Sequence, residues 1–355
     1  MSLIPMLSRV LVAAVVAVGL VGAASLAEDT AVAPVPVPTD AEAAEAGTDR
    51  EGKLWPMMQI VTFENGPCES ANGDHGVCFS QKECEANGGT ASGTCANGYG
   101  VCCVLTVTCD GTISINGSVF QSPGFPAAYN TFGMCMVTLN PPSGTCQILL
   151  DFINFELAPP LEGDCTNDTF VVMGANQGSM IPTLCGTNTG QHLYIDVDNS
   201  QGPFKLVATL SSLSFQRHWK VKVTFLDEFD PCLAPNRCLQ YFKETMGTIT
   251  SFNFAPPTAT TSREMLNMQT YSICFAYIKG FCDIGISFSR LDLGNVNQVC
   301  DTDYVAVGAE KFCGDTTSLS VTANATGPIT ILVVSDDDNS NLEEGFSLSY
   351  TMMSC

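Results

Sequence analysis

Residues 165–175 read CTNDTFVVMGA, and residues 300–309 read CDTDYVAVGA. Each stretch has an Asp three residues after its cysteine, an apolar run typical of a strand, and a Gly-Ala pair at its end. A Cys-Gly pair follows in both places, at Cys185 and at Cys313. The same landmarks in the same order indicate that the chain contains two copies of one structural unit.

The 18 cysteines fall into three successive groups of six. An even number in each group favours closed sets of disulfides over spare reactive thiols. The groups are Cys68, Cys78, Cys84, Cys95, Cys102 and Cys103; then Cys109, Cys135, Cys146, Cys165, Cys185 and Cys232; then Cys238, Cys274, Cys282, Cys300, Cys313 and Cys355.

The cysteines and the N-terminus together predict a secreted, extracellular protein. No CxxC pair is present, so an oxidising compartment explains the cysteines better than metal sites do. Residues 1–27 read as a signal peptide, with a basic residue before the apolar run 10–24 and small residues after it. That run is shorter than the roughly 20 residues a spanning helix needs. We therefore expect no stable membrane insertion after cleavage, with an uncleaved anchor as the alternative.

Residues 28–54 are rich in Ala, Pro and acidic side chains and have no periodic apolar face. This composition predicts a disordered acidic linker, with a propeptide as the alternative. The whole chain carries a formal net charge of −22, which repels phosphate backbones and argues against nucleic acid as a partner. Acidity suits divalent cations or basic protein surfaces, although it also serves solubility alone.

Residues 55–103 form a small cysteine-dense module. The stretch 68–103 is rich in glycine and has few large apolar residues, so cross-links must supply its order. Six cysteines allow fifteen pairings, and spacing alone does not choose among them. The closing GVCC, and the spacing between Cys78 and Cys84, resemble the clip domains that precede secreted serine proteases in arthropods. That resemblance implies a docking module.

Alternating apolar and polar residues dominate the rest of the chain. In WKVKVTF, residues 219–225, every second side chain is apolar, which is typical of a half-buried antiparallel strand. Short strands separated by Gly, Pro, Asn and Asp, without a convincing amphipathic helix, favour β-sandwiches. We predict an all-β chain with two antiparallel sandwiches, at 109–232 and 238–355. Only LAPNR, residues 233–237, separates them, so we expect a stiff connection.

The repeated motif resembles the CUB domain of complement proteases, spermadhesins and astacin-type proteases. The shared features are C-x-x-D before an apolar strand, then C-G, then an S-D-x-x-N loop that leads to G-F; SPGFP at 122–126 and the segment 335–350 match as well. The resemblance implies two CUB-like sandwiches of the jelly-roll type. With the clip-like module, the whole arrangement looks like arthropod CUB-domain-containing secreted proteins.

The resemblance also implies how the cysteines pair. Four bonds follow from the family, and the remaining pair in each repeat then follows by parity. The implied bonds are Cys109–Cys135, Cys165–Cys185, Cys238–Cys274 and Cys300–Cys313, with Cys146–Cys232 and Cys282–Cys355 as the extra pairs.

Many CUB domains bind Ca²⁺ through a Glu in an F-x-L-E turn, the Asp of C-x-x-D and the Asp of S-D. In the second repeat Asp303 and Asp336 match the two aspartates, and nearby oxygens come from Asp337, Asp338 and Asn339. Gly294 stands where the Glu is expected, so Asp292 is the candidate substitute. In the family such loops capture a basic side chain of a partner, a role that would fall here to Asp303 and Asp336. The alternative is a solvated acidic loop.

The first repeat matches the calcium pattern less well. Asp168 fits the C-x-x-D position, but Ala158 replaces the Glu, which leaves Glu156 or Glu162 as displaced candidates. Serines occupy the S-D region.

Three N-x-S/T sequons mark candidate glycosylation sites at Asn116, Asn167 and Asn324. A glycan on Asn167 would compete for space with an ion at Asp168.

Catalysis finds little support in the sequence. It has no G-x-S-x-G, G-D-S-G or H-E-x-x-H motif, and two of its three histidines, His192 and His218, look like solvent-facing strand residues. We therefore predict a secreted, non-enzymatic binding protein that docks extracellular proteins or glycans, with calcium dependence through the second repeat. The alternatives are a structural protein of extracellular matrix or cuticle, a cryptic hydrolase and a protease-cascade regulator.

Overall fold

The chain folds into short β-strands, as the alternating pattern predicts. The computed structural model describes residues 61–176, 179–198, 200, 202–254, 263–294, 299–324, 329–338 and 342–355, with only the backbone at Asn324. The predicted signal peptide, the predicted linker and the first residues of the 55–103 module lie outside the described residues. Among the described residues, the predicted all-β fold with antiparallel sheets is confirmed.

The cysteine-dense module forms one four-stranded antiparallel sheet, in the order β1-β2-β4-β3. Its strands are β1 (Pro67–Glu69), β2 (His75–Phe79), β3 (Thr90–Cys95) and β4 (Gly100–Val104), with helix α1 (Gln81–Ala86) and a 3-10 turn (Ala96–Gly98). The helix begins at a capping box, in which the Ser80 Oγ accepts from the Glu83 N–H at 3.3 Å and the Glu83 Oε2 accepts from the Ser80 N–H at 3.0 Å.

Three disulfides fix this module with the pairing that spacing left open. They are Cys68–Cys102, Cys78–Cys95 and Cys84–Cys103. The apolar core they surround is small, with Val77, Phe79 and Leu105 as its large buried side chains. Cross-links therefore supply much of the order, as expected for a segment this poor in apolar residues.

The first sandwich has two sheets, in the orders β10-β12-β8-β6 and β11-β9-β13-β7-β5. Phe170 of one sheet meets Phe152 and Phe155 of the other edge-on, at centroid distances of 5.8 and 5.2 Å, so the sheets pack face to face. Its strands are β5 (Thr106–Val107), β6 (Gly111–Ile113), β7 (Val119–Gln121), β8 (Gly133–Leu139), β9 (Thr145–Glu156), β10 (Thr169–Met173), β11 (His192–Asp196), β12 (Phe204–Leu210) and β13 (His218–Asp227).

The second sandwich also has two sheets, in the orders β14-β16-β22-β18-β19 and β15-β23-β17-β20, with β21 paired to β17. Among the described residues of the sandwiches, parallel pairing is limited to three short ladders: β5 with β7, β6 with β8, and β14 with β16. The strands are β14 (Gln240–Phe242), β15 (Met246–Thr250), β16 (Thr270–Phe275), β17 (Phe281–Leu293), β18 (Tyr304–Val307), β19 (Glu310–Phe312), β20 (Gly314–Thr316), β21 (Leu319–Asn324), β22 (Thr330–Val334) and β23 (Gly345–Ser354).

Five of the six disulfides that the CUB resemblance implies are formed. They are Cys109–Cys135, Cys165–Cys185, Cys238–Cys274, Cys300–Cys313 and Cys282–Cys355. The predicted Cys146–Cys232 bond is not formed, because both residues are free thiols in the structure.

Cys146 lies at a β-bulge. Gln147 pairs with Leu226 and Thr145 with Asp227, so Cys146 is the extra residue between two ladder pairs. Cys232 instead packs beside Tyr194 in a separate cluster, where the Lys243 Nζ lies 3.0 Å from its sulfur. The two thiols thus lie in different surroundings, and parity alone could not predict this.

The two sandwiches share one continuous buried cluster, which includes Phe152 and Phe170 of the first and Phe275 and Tyr350 of the second. Backbone and side-chain hydrogen bonds add to this junction. The Tyr194 N–H donates to the Leu239 carbonyl at 2.8 Å, and the Gln191 Nε2 donates to the Thr250 Oγ1 at 3.0 Å. The two sandwiches are therefore packed against each other.

Candidate functional site: the acidic end of the second sandwich

Four carboxylates from separate chain segments meet at one end of the second sandwich. Asp292 lies near the end of β17, Asp303 directly before β18, Asp336 after β22, and Glu343 before β23. Asp303, Asp292 and Asp336 all act on the Glu343 carboxylate electrostatically. We call these four residues the acidic cluster.

Asp303 forms the inner part of the acidic cluster. Its side chain is only 4% exposed; its Oδ1 accepts from the Asp336 N–H at 2.9 Å, and its Oδ2 accepts from the Thr302 hydroxyl at 2.9 Å. Burial raises the pKa of Asp303, and Asp336 and Asp338 raise it further, against the lowering effect of the two hydrogen bonds. The C-x-x-D aspartate is thus oriented by the S-D loop, as the sequence motif implies.

Glu343 is the candidate site residue that the sequence analysis missed. It is 5% exposed, and burial, assisted by the three aspartates, raises its pKa to about 7. The backbone N–H of Gly294 donates to its carboxylate. Gly294, which stands where the resemblance predicts a Glu, therefore contacts a different Glu of the acidic cluster through its backbone.

The backbone explains why position 294 is glycine. Its φ is +58°, and a Cβ there would lie 3.0 Å from the Asp303 carbonyl oxygen. A Glu side chain would be strained in this turn, and the carboxylate that the Gly294 backbone contacts is that of Glu343 on the facing segment. The only signal in the sequence was the pair of Glu residues just before Gly345-Phe346.

Asp292 belongs to the acidic cluster but is shared with a basic residue. Its Oδ2 accepts from the Glu344 N–H at 3.2 Å and from the Arg290 Nη2 at 2.7 Å. Arg290 also binds Glu344 at 2.9 Å and pairs with Asp315. Burial raises the pKa of Asp292 while Arg290 lowers it, and the net direction is upward.

Asp337 lies at the edge of this arrangement. Its side chain is exposed, and its backbone carbonyl accepts from the Asn267 Nδ2 at 3.4 Å. Asp338, rather than Asp337, acts on the charge of Asp303. The neighbouring Asn339 lies outside the described residues.

The donors of the acidic cluster have the chemistry that a hard divalent cation prefers, since all of them are oxygens and most are anionic. One further oxygen nearby has no partner among the described residues: the Gln269 Oε1, on a side chain 2% exposed whose backbone pairs with Ser335. Over the described ranges, however, no three His, Cys, Asp or Glu side chains are already drawn together tightly enough to hold a metal ion. The acidic cluster therefore has the donor atoms that calcium prefers. To bind the ion, its carboxylates would have to move closer together.

The corresponding end of the first sandwich is built differently. Asp168 is fully buried and pairs with the equally buried Arg217, whose Nε and Nη2 lie 2.5 and 3.0 Å from its two oxygens. The N–H groups of Ala158 and Ser211 also donate to Asp168, at 2.8 and 2.9 Å. Burial alone would raise the pKa of Asp168, but Arg217 and these donors outweigh it and lower the pKa.

This arrangement corrects the predicted calcium site at Asp168 and Glu156. An internal guanidinium occupies the oxygens of Asp168 that an ion would need. Glu156 is about a third exposed, with its Oε2 3.4 Å from the His218 Nε2. Nothing in the sequence indicated that Arg217, far along the chain from Asp168, would reach it.

His192 is a second correction, because it is half-buried at the junction of the sandwiches rather than facing solvent. Its Nε2 accepts from the Tyr241 N–H at 3.0 Å. Burial lowers its pKa to about 4, against a raising effect of that hydrogen bond. It is a neutral structural residue of the junction at neutral pH.

The three sequons remain predictions. The Asn116 side chain is engaged with Phe225, whose N–H donates to its Oδ1 at 2.8 Å and whose carbonyl accepts from its Nδ2 at 3.2 Å. Asn167 is half-buried, and the side chain of Asn324 lies outside the described residues. No helix in the described ranges is long and apolar enough to span a membrane.

Comparison with known proteins places one family on this end of the chain. The family model for the animal CUB domain matches residues 235–353. Among solved structures, the CUB1-EGF-CUB2 domains of rat MASP-1 are 21% identical, covering 69% of this chain and 99% of that one with a TM-score of 0.25. The MASP-1 CUB2 domain bound to Ca²⁺ is 24% identical, covering 32% and 96% with a TM-score of 0.24.

The full extracellular region of zebrafish Gpr126/Adgrg6 is 13% identical, covering 68% of this chain and 37% of that one with a TM-score of 0.27. No curated protein matches the chain. The family match spans the second sandwich and all four residues of the acidic cluster. Residues 235–353 are therefore a CUB domain.

Proposed function

We propose that this chain is a secreted, non-enzymatic binding protein whose second sandwich captures a basic side chain of an extracellular protein. The observation that carries the proposal is the acidic cluster, in which Asp292, Asp303, Asp336 and Glu343 converge at one end of a CUB domain. Three closed disulfides in the small module and five in the sandwiches support an extracellular setting.

We further propose that calcium organises this end. The four carboxylates would supply its protein ligands, with Glu343 in the role of the Glu that Gly294 replaces. A bound divalent cation supplies positive charge that offsets their mutual repulsion and fixes the loop that carries Asp336. Asp303 and Asp336 would then present oxygen atoms to the basic group of the partner.

The remaining parts of the chain fit the same proposal as scaffold and docking units. The region 109–232 would be a second, CUB-like domain whose calcium position is filled by Arg217, and 238–355 would be the ligand-binding one. The 55–103 module would be a clip-like docking unit, in an arrangement like that of arthropod CUB-domain-containing proteins. Glycans remain an alternative class of partner.

Isothermal titration of the calcium-free protein with CaCl₂ tests the metal site. We expect one site in the wild type and none in Asp303→Asn or Glu343→Gln. Glu310→Gln is the matched control, because Glu310 is an exposed carboxylate on β19 of the same sandwich. Equal calcium binding by all four proteins would refute the acidic cluster as the site.

Capture from extracellular fluid tests the partner. Wild-type protein immobilised with calcium should retain a basic protein that is released by chelator and is absent from the Asp303→Asn column. Retention that survives both the chelator and the substitution would place the partner surface elsewhere.

A further inference from the structure

One residue of the second sandwich, Asn267, contacts both the first sandwich and the loop that carries Asp336. The Asn267 N–H donates to the Gly163 carbonyl at 2.9 Å. Its Nδ2 lies 3.0 Å from the Glu162 carbonyl and 3.0 Å from the Asp164 Oδ1. Asn267 therefore fastens the 162–164 loop of the first sandwich.

The same side chain reaches the loop of its own sandwich that carries Asp336 and Asp337. The Asn267 Nδ2 lies 3.4 Å from the Asp337 carbonyl, and the next residue, Met268, donates its N–H to the Asp336 carbonyl at 2.6 Å. The segment 267–268 is thus bonded on one side to the loop that carries a proposed ligand, and on the other side to the first sandwich.

The Asn267 side chain has fewer hydrogens than nearby acceptors, so its contacts respond to a movement of the 336–338 loop. An amide Nδ2 has two hydrogens, whereas three acceptors surround it, two at 3.0 Å and one at 3.4 Å. It cannot satisfy all three at once. A small shift of the 336–338 loop therefore changes how strongly Asn267 holds the 162–164 loop.

The 162–164 loop has another tie to the second sandwich at the same place. The Gly163 N–H donates to the Glu264 Oε2 at 3.2 Å. By contrast, the contact of Gln191 with Thr250 links the sandwiches without touching either loop. The junction thus has a part that contacts the acidic loop and a part that does not.

We propose that Asn267 couples the acidic cluster to the first sandwich, so that cation binding at Asp303, Asp336 and Glu343 tightens the 162–164 loop. The binding end of the molecule is then a composite of both repeats rather than a property of the second alone. This inference rests on the proposed calcium site. By linkage, loosening the Asn267 contact weakens calcium binding by the same factor by which calcium strengthens the contact.

Hydrogen exchange with mass spectrometry, together with calcium titration, tests the coupling on the full secreted chain. In the wild type, calcium should slow exchange in a peptide covering 159–165. In Asn267→Ala this slowing should vanish, and the calcium Kd should rise about five-fold or more. Gln191→Ala is the matched control: it removes a contact between the sandwiches outside the loops and should leave the Kd and the loop's response unchanged.

The outcomes separate the coupling from the calcium site itself. If the wild type binds no calcium, the proposed site fails and the coupling fails with it. If calcium binds but exchange at 159–165 does not change and Asn267→Ala keeps the wild-type Kd, the coupling is wrong while the site stands. Asn267→Ser provides a second, smaller change should the alanine variant fold poorly, and circular dichroism checks the fold of each.

Discussion

At the residue scale, the buried aspartates of the two sandwiches, Asp168 and Asp303, have opposite surroundings. Asp168 is neutralised by Arg217 within the chain, with no exposure of either side chain. Asp303 instead meets two more aspartates and Glu343. Asp168 thus has its counter-charge inside the chain, whereas the counter-charge that we propose for Asp303 is a bound cation.

Replacing Arg217 tests the internal cation. Arg217→Met leaves Asp168 buried without its partner, so the free energy of unfolding in urea should fall by about 3 to 5 kcal/mol. The double variant Asp168→Asn with Arg217→Met should recover part of that loss. Glu156→Gln, which removes a partly exposed contact with His218 nearby, should cost less than about 1 kcal/mol. A loss no larger for Arg217→Met than for Glu156→Gln would show that the buried pair contributes little.

Glu343 should carry a stability cost that calcium reverses. In calcium-free protein at neutral pH, Glu343→Gln removes a buried carboxylate from beside three others, so it should raise the free energy of unfolding, on the order of 1 kcal/mol. The same variant should lose the stabilisation that calcium gives the wild type. Thermal melts with and without calcium measure both effects. A destabilised calcium-free variant would contradict the electrostatic account.

At the element scale, the edge of β11 against the start of the second sandwich contains a proton-sensitive contact. His192 accepts a hydrogen bond from the Tyr241 N–H and packs against Tyr194 and Phe242. Asp151, Lys222 and His75 line the same hollow beside it. A protonated imidazole has no lone pair left to accept the N–H, so protonation breaks this contact.

The pH dependence follows from the lowered pKa of His192, about 4 in the folded chain against a usual 6.5. Between these values the unfolded chain binds a proton that the folded chain does not, so stability is complete above about pH 6.5 and falls as the pH drops towards 4. Urea unfolding from pH 4.5 to 7 measures the slope. His192→Gln should flatten it, while His218→Gln, at a partly exposed site, should leave it unchanged. An unaltered slope in His192→Gln would assign the dependence to other groups.

The two free cysteines, one of them at the bulge in β9, predict how many thiols the protein contains. Burial raises the pKa of Cys146, and Asp198, Glu228 and Asp227 raise it further, so its thiol should react slowly in the native chain. Unfolded without reductant, the protein should release two thiols to Ellman's reagent, from Cys146 and Cys232. Fully reduced protein gives the reference count of 18. No thiols without reductant would mean that the two are bonded after all.

Sequence reasoning succeeded wherever the information was local or repeated. The two-residue alternation of 219–225 predicted β13, and the repeated C-x-x-D motif pointed to Asp303. It failed where distant segments meet. Glu343 contacts the backbone of Gly294, Arg217 reaches back to Asp168, and these contacts depend on which strands become neighbours. The periodicity of side chains along a strand does not predict which strands become its neighbours.

At the scale of the whole molecule, the described part from Val61 onwards behaves as one packed body. One buried cluster runs through both sandwiches, and strand β5, directly after the small module, joins a sheet of the first sandwich. The Lys220–Asp74 ion pair ties the small module to that sandwich as well. The proposed binding site of the second sandwich would then be held at a fixed position relative to the small module, which suits a protein that positions a partner.

A single packed body should unfold in a single step. Scanning calorimetry of the full chain should show one transition for both sandwiches, because separating them would expose the apolar side chains they share. Calcium at about 100 times its Kd should stabilise the whole body by about 2.7 kcal/mol, so the transition should move without splitting. Two resolved transitions, with only one shifted by calcium, would show that the sandwiches unfold independently and that the shared cluster does not bind them into one cooperative unit.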